Sequence, residues 1–216
     1  MSVAHNSRMK FRLRHIAAAI VVAASSIAAA APAAGAPVTA SSKASPAQPP
    51  ATVTFAGETY SYTPGRPGSG EYKYTAKAQP GPADQHDTLE IMLFGEFGAR
   101  HTTGDFAYRV IAGIHDLGIL VSTHPMGEDA SGQTEYLVVT NAPNTGSREI
   151  AYTRILTVKG ILAVVTYTHR VVGEQATTEA AGWLEDNGTR IEQTMEDWAD
   201  WDGMPSTPML GPPPSQ

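Results

Sequence analysis

Apolar residues recur at two spacings along this chain, every second residue in some segments and every third or fourth in others. The first spacing is typical of strands with one buried side, and the second is typical of helices with one apolar stripe. The first predicts extended segments at 53–55, 58–62, 71–77, 88–97, 119–123, 135–141, 148–158 and 161–172. The second predicts a helix that Thr102 or Thr103 caps and that ends before Gly118, and a longer helix from Thr177 to about Ala199 that Thr177 or Thr178 caps.

Short turns join several of these segments into antiparallel hairpins. Gly57 lies between the first two segments, and only Lys159-Gly160 separates 148–158 from 161–172. A long hairpin of this kind is usually the centre of an antiparallel sheet, which can bury the apolar faces of both helices. The sequence therefore predicts an α+β fold, with a mostly antiparallel sheet of about six to seven strands packed with two principal helices, and disordered ends.

Proline and glycine indicate where these elements should stop. The stretch 125–132 has the composition of a turn, and 141–146, with Pro143 and Gly146, that of a loop. Gly188 lies inside the second predicted helix, where glycine costs about 1 kcal/mol relative to alanine. The glycine would allow a kink at this position, or a division into two shorter helices.

The first forty residues have the pattern of an export signal. Four basic residues between Arg8 and Arg14 precede an uncharged stretch at 16–31, and small residues follow at 34–40. A retained membrane anchor is the alternative, but the uncharged stretch is shorter than the roughly 20 apolar residues of a membrane span. We predict a signal peptide at 1–40, a flexible linker at 41–51, one domain at 52–201 and a disordered proline-rich tail at 202–216. The mature protein would be periplasmic or secreted, with no stable membrane anchor.

Removal of the signal would make the chain strongly acidic. Residues 1–40 contain four of the 15 Lys and Arg residues and none of the 21 Asp and Glu residues, which leaves 11 basic and 21 acidic residues and a net charge of −10. Such a charge repels nucleic acid and anionic lipid, so we expect neither as a partner. The chain has no cysteine, which excludes thiol catalysis, thiolate metal sites and a lipid anchor on cysteine.

No motif specifies a reaction. The five histidines after residue 40 have neither the i,i+4 nor the H-x-H spacing of shared metal ligands, so we predict no metal site and no cofactor. The Gly-x-Ser-x-Gly pattern of many hydrolases is absent. Carboxylates such as Glu90 with Glu96, or Glu149 with Glu174, could do acid–base work only if the fold brought them into one cleft. We therefore assign no catalytic residue.

Two groups of residues are candidates for binding. Arg154 and Arg170 could together hold a small anion, although a cross-strand pair of Arg170 with Glu149 is the alternative. Near the C-terminal end, tryptophans could anchor a protein partner, unless they pack on the domain itself. The residues of this second candidate are Trp198, Trp201 and Asp202.

Three stretches carry a resemblance to a known fold family. They are Tyr152-Thr153-Arg154, Val164-Val165-Thr166-Tyr167 and the helix from Trp183 to Trp198. With the order of hairpin, helix, long ribbon and closing helix, they resemble the PsbP-like α/β sandwich of small secreted bacterial proteins of unassigned function. The resemblance covers about residues 52–200 and implies a binding or assembly module. It transfers no catalytic residue, because a shared fold does not imply a shared function.

We expect a non-catalytic binding or assembly module of the bacterial cell envelope, with another envelope protein as the candidate partner. The sequence does not specify the oligomeric state. One alternative is a hydrolase whose carboxylate and histidine site has no sequence motif. Another is an inhibitor-like protein that blocks a second secreted protein. Converging His, Glu or Arg side chains in a pocket would favour the enzyme, whereas a flat apolar surface or a long unpaired strand would favour the binder or inhibitor.

Overall fold

The computed structural model describes residues 49–64, 71–76, 87–94, 102–116, 119–128 and 132–199, which form eight strands and two helices. The strands are β1 (Thr52–Phe55), β2 (Glu58–Thr63), β3 (Glu71–Ala76), β4 (Thr88–Phe94), β5 (Leu120–Glu128), β6 (Thr134–Asn144), β7 (Ser147–Val158) and β8 (Ile161–Val172). The helices are α1 (Thr103–Asp116), between β4 and β5, and α2 (Ala176–Asp197), after β8. The predicted signal peptide, most of the linker and the predicted tail lie outside the described residues.

All the described strands form one antiparallel sheet in the order β1-β2-β3-β4-β8-β7-β6-β5. The predicted α+β class and antiparallel sheet are confirmed. The sheet has eight strands, slightly more than the six to seven predicted, because β1 and β5 both pair as edge strands. Within the described ranges, no helix is both long and apolar enough to cross a bilayer.

Two tight turns set the register of the hairpins. In each of them both turn residues have positive φ, 52° and 84° for Ala56-Gly57 and 50° and 79° for Lys159-Gly160. This is the two-residue turn whose twist matches that of the flanking strands. The second turn aligns β7 with β8 from Val158↔Ile161 to Ser147↔Val172, as the sequence predicted for the central ribbon.

Alternation along the strands divides the side chains between two faces. The inner face packs against α2, and the outer face packs against α1 over β5, β6 and β7. Large inner-face residues are Phe55, Tyr60, Tyr74, Ile91, Tyr152 and Tyr167, all buried. The apolar outer-face residues include Met92, Val138, Ile155 and Val164, which meet Phe106 and Val110 of α1. The fold is therefore a sheet between two helices.

The sheet curls around α2. Three strands separate β1 from β8, which would place them about 19 Å apart in a flat sheet with strands roughly 4.8 Å apart. Yet the rings of Phe55 on β1 and Tyr167 on β8 stack with centroids 5.1 Å apart. Trp198, at the end of α2, also donates its indole Nε1–H to the carbonyl of Thr54 on β1 at 3.1 Å. The first strands therefore bend over the helix that the central strands support.

The two helices begin only partly where the sequence predicts. Thr102 caps α1, since its Oγ1 accepts from the Asp105 amide at 3.1 Å while Asp105 Oδ2 accepts from the Thr102 amide at 3.0 Å. The predicted cap of α2 at Thr177 or Thr178 is wrong, because the helix begins at Ala176 after Gln175, whose side chain makes no capping bond. Helix α2 also runs through Gly188 as one element.

Two prolines lie inside strands where the sequence predicted breaks. Pro125 belongs to β5, an edge strand that is irregular on both sides of it, so its missing N–H costs no inner pairing. Pro143 extends β6 beyond Thr140, the last β6 residue that pairs with β5, and lies opposite Arg148 of β7. The turn at 125–132 and the loop at 141–146 were therefore predicted too long, because proline is tolerated wherever one side of a strand is unpaired.

Candidate functional site

Arg154 lies on the inner face of β7, beneath the C-terminal end of α2. Its Nε donates to Glu135 Oε2 at 2.7 Å, and one terminal nitrogen donates to the carbonyls of Met195 at 2.6 Å and Trp198 at 2.9 Å. These carbonyls lie at the C-terminal end of α2. Carbonyl groups at a helix C-terminus lack hydrogen-bond donors within the helix, and together they favour a nearby cation. Arg154 is buried, and its guanidinium caps the C-terminal end of α2 through these hydrogen bonds.

Arg170 lies on the outer face of β8. Its Nε is 3.7 Å from Glu149 Oε1, and its guanidinium donates to Ser147 Oγ at 3.3 and 3.4 Å. The register pairs Glu149 with Arg170, as the cross-strand alternative predicted. Because Arg154 and Arg170 point to opposite faces of the sheet, the fold does not bring them together around one anion.

Trp198 is 7% exposed and belongs to the inner core. Its indole N–H donates a hydrogen bond to the carbonyl oxygen of Thr54. Trp198 therefore packs on its own domain and does not present an exposed ring to a partner. Trp201 and Asp202 lie outside the described residues, and a role for them in partner binding stays a prediction.

The carboxylate pairs considered from sequence do not form one cleft among the described residues. Glu90 accepts from Lys73 Nζ at 2.8 Å, and Glu149 faces Arg170. Glu96 lies outside the described residues, and Glu174 is exposed before α2. Within the described ranges, no three His, Asp or Glu side chains come together as metal ligands.

A hydrogen-bonded group that sequence reasoning missed lies between β4, β8 and α2. This histidine cluster consists of Asp87, Tyr167, His169 and Trp183. Asp87, just before β4, accepts from the Tyr167 hydroxyl at 2.7 Å through Oδ2, and its Oδ1 lies 2.7 Å from His169 Nδ1. The His169 ring stacks on Trp183 of α2 with centroids 4.0 Å apart and planes 8° apart.

The fold creates this cluster from residues far apart in sequence. Tyr167 and His169 are two apart on β8 and therefore share a face, which the sequence could have revealed. Asp87 arrives because β4 pairs with β8, with Thr88 opposite Thr168. That pairing joins segments about eighty residues apart, and no local pattern in the sequence predicts it.

Burial keeps the phenolic proton of the cluster on Tyr167. It raises the pKa of the Tyr167 hydroxyl, and the charge of Asp87 and the hydrogen bond to it raise that pKa further. Tyr167 therefore stays protonated and donates to Asp87. A carboxylate beside Nδ1 favours the tautomer that carries its proton on Nδ1, and in that tautomer the lone pair of the imidazole lies on Nε2.

The outer side of β1 to β4 forms a second feature, here named the hydroxyl face. Every outward position on β1 and β2 is threonine or serine, and the register continues the pattern onto β3, β4 and β8. One row runs straight across five neighbouring strands. Its members are Thr52, Ser61, Thr75, Thr88 and Thr168, and the hydroxyl face also includes Thr54, Thr59 and Thr63.

These hydroxyl side chains are accessible. Four of them, Thr52, Thr54, Thr59 and Thr63, are exposed, and the other four are half-buried. The charged residues near the row include the ion pair of Lys73 with Glu90, the pair of Arg170 with Glu149 beside Thr168, and the exposed Glu71 at one end of β3. Hydroxyl side chains therefore dominate this surface, on a chain whose net charge is −6.

No protein-family model matches the chain, and no curated protein is similar to it in sequence. Similar solved structures include the protein of unknown function PA94 from Pseudomonas aeruginosa, 12% identical with a TM-score of 0.40 over 60% of this chain and 81% of that one. Another is the Ran-binding protein Mog1p from Saccharomyces cerevisiae, 10% identical with a TM-score of 0.33 over 58% of this chain and 76% of that one.

A cyanobacterial PsbP protein, CyanoP from Synechocystis, is also similar in structure. It is 13% identical, with a TM-score of 0.35 over 65% of this chain and 84% of that one. The weak fold-level resemblance to PsbP-like proteins is thus found again in the structure comparison. At these identities the resemblance concerns the fold alone, and it transfers no partner and no residue role.

Proposed function

We propose that the protein is a binding or assembly module of the bacterial cell envelope, and that the hydroxyl face is its contact surface. The observation that carries the proposal is the uninterrupted row of Thr and Ser side chains across five strands, from Thr52 to Thr168. The pattern of an export signal at 1–40 supports a location in the envelope.

The chemistry of this surface suits a neutral polymer rich in hydroxyl and amide groups. Each hydroxyl can both donate and accept a hydrogen bond, so it suits sugar hydroxyls and acetamido groups. Neighbouring strands repeat the group about every 4.8 Å, which offers contacts along an extended chain. An acidic protein is repelled by polyanions, so we propose a neutral glycan as the partner.

Co-sedimentation with insoluble chitin tests this directly, because chitin is a neutral polymer of N-acetylglucosamine. Purified peptidoglycan, which contains the same sugar, is the envelope polymer to compare with it. The test variant is Thr75→Val with Thr88→Val, which keeps the shape and strand preference of both residues and removes two hydroxyls. The matched control is Thr189→Val on the exposed side of α2.

We expect the wild-type chain to sediment with chitin, and the double variant to bind about tenfold more weakly, since each lost hydrogen bond contributes roughly 0.5–1.5 kcal/mol. The Thr189→Val control should bind like the wild type. Absence of sedimentation, or equal binding by the double variant, would contradict the proposed surface. Cell fractionation that finds the intact chain, with Met1 attached, in the cytosol would contradict the envelope location.

A hydrolase is the second candidate function, and one specific observation favours it. The Asp87–His169 pair brings a carboxylate within 2.7 Å of a histidine ring nitrogen, and a carboxylate that orients an imidazole is the arrangement of many general bases. It lies on the inner face, whereas the hydroxyl face is on the outer side of the sheet, so the two functions can be tested separately.

A further inference from the structure

We propose that the histidine cluster is an acid–base site, at which His169 Nε2 activates water against a small ester. This inference goes beyond the binding role of the hydroxyl face, and it rests on the hydrolase that is the second candidate function, for which it names the base and the substrate class. It assigns an activity to residues that the binding role does not use.

The first argument is the orientation of the imidazole. Asp87 Oδ1 holds Nδ1 at 2.7 Å, and Trp183 holds the ring plane at 4.0 Å, so both the rotation and the tilt of the ring are set. Asp87 is itself fixed, because its second oxygen accepts from Tyr167 at 2.7 Å. A base oriented by a buried carboxylate is the arrangement that serves general-base catalysis in hydrolases.

The second argument is access. Asp87 and Tyr167 are buried, but the side chain of His169 keeps 19% of its surface exposed, so water reaches the ring. Within the described residues, Asp87 is the hydrogen-bonding partner of His169, through Nδ1. None of the described residues hydrogen-bonds to Nε2, and the half-buried Trp183 provides an aromatic surface against the ring.

The third argument is the contrast with other histidines of the chain. His115 is exposed in the last turn of α1, and His124 is half-buried on the edge strand β5. Neither forms an ion pair or hydrogen bond with another described residue, so neither ring is oriented by a carboxylate there. His115 and His124 can therefore serve as control positions for a histidine that no described carboxylate orients.

The proposed step balances without a further reactant. Nε2 takes a proton from water while the water oxygen forms a bond to the ester carbonyl carbon. The bond between that carbon and the alcohol oxygen then breaks, and the protonated imidazole returns the proton to the leaving alcohol. The products are a carboxylic acid and an alcohol, and the imidazole ends as it began.

Hydrolysis of p-nitrophenyl acetate by the full chain tests the inference. We expect His169→Gln to lower the rate at least about tenfold, since a positioned base contributes roughly 10²–10⁴-fold. His169→Phe should lower it equally while keeping a flat ring on Trp183, and it covers the case in which His169→Gln fails to fold. The control His124→Gln should keep the wild-type rate. Equal rates for the wild type and a folded His169 variant would overturn the proposal.

Asp87 is a positioning residue in this account, and it needs a readout that a purely structural role would not change. ¹⁵N NMR of the wild type should show the proton of His169 on Nδ1, and Asp87→Asn should lose that preference together with the hydrolysis. An unchanged tautomer, or hydrolysis that survives its loss, would overturn the role of Asp87. The chitin assay uses other residues, so failure of either proposal is distinguishable from failure of the other.

Discussion

The inner and outer faces of the sheet are built from the same strands but carry different side chains. On β1 to β4, every inward position except Glu58 at the start of β2 belongs to the aromatic and aliphatic core around α2, and most outward positions carry a hydroxyl. Alternation alone explains why the two faces differ, but water-facing strands usually also carry charged residues. On β1 to β4 the comparison therefore separates a buried face that stabilises the fold from the hydroxyl face, whose side chains are exposed or half-buried.

The largest effect on this comparison should come from alkaline pH, because the inner face holds buried tyrosines. Burial is the main cause that raises the pKa of Tyr152 to about 12. Burial also raises the pKa of Tyr60 and Tyr167, with the charge of Asp87 adding to the shift in both. Above pH 10 the unfolded chain has lost these protons while the folded chain keeps them, so stability must fall as pH rises.

With three such groups, the free energy of unfolding should fall by about 4 kcal/mol per pH unit between pH 10 and 12, at about 1.4 kcal/mol per proton. The account predicts cooperative unfolding in this window, followed by circular dichroism, together with release of tyrosinate absorbance. Tyrosinate absorbance from these residues before any loss of structure would show that the inner face is open to water.

The next largest effect should follow removal of Arg154. Arg154→Leu leaves Glu135 buried without its cation and leaves the end of α2 uncapped, which should cost about 3–5 kcal/mol in urea unfolding. The matched control is Arg190→Leu, an exposed arginine of α2 that we expect to cost no more than about 1 kcal/mol. Similar losses for both variants would contradict the helix-end role of Arg154.

A smaller effect should distinguish two glycines of α2. A Cβ at Gly182 would meet no atom within 4 Å, whereas one at Gly188 would lie 3.2 Å from the hydroxyl oxygen of Tyr152. Gly182→Ala should therefore stabilise the chain by about 0.5–1 kcal/mol, while Gly188→Ala should gain less or destabilise it. An equal gain at both positions, measured by thermal unfolding, would show that Tyr152 does not approach the helix as closely as this.

Much of the fold could be predicted from local sequence. Both tight hairpins follow from a glycine in the turn, and β7 and β8 were predicted to within a residue because each is long and bounded by turn residues. The predictions failed where proline was taken as a break, since Pro125 and Pro143 lie where one side of the strand has no partner to lose.

The candidate sites were much harder to predict than the fold. The sequence predicted binding roles for Arg154, Arg170 and Trp198. In the structure Arg154 caps the end of α2, Arg170 pairs with Glu149 across the strands, and Trp198 belongs to the core. The histidine cluster depends on the pairing of β4 with β8 and on the docking of α2, which are long-range choices. The hydroxyl row likewise depends on the register of five strands, and a shift of one residue would turn its side chains to the other face.

The most direct test of the difference between the faces is an NMR titration of the ¹⁵N-labelled full chain with a soluble N-acetylglucosamine oligomer. The account predicts amide shift changes centred on the hydroxyl face, at Thr52, Ser61 and Thr75, with little change along α2. These changes should be lost in the Thr75→Val, Thr88→Val variant, which would show that the hydroxyl groups make the contact. The free energy of unfolding of this variant should stay within about 0.5 kcal/mol per site of the wild type. Changes centred on α2 or the inner face, or no changes at saturating oligomer, would contradict the claim that the outer face is the binding surface.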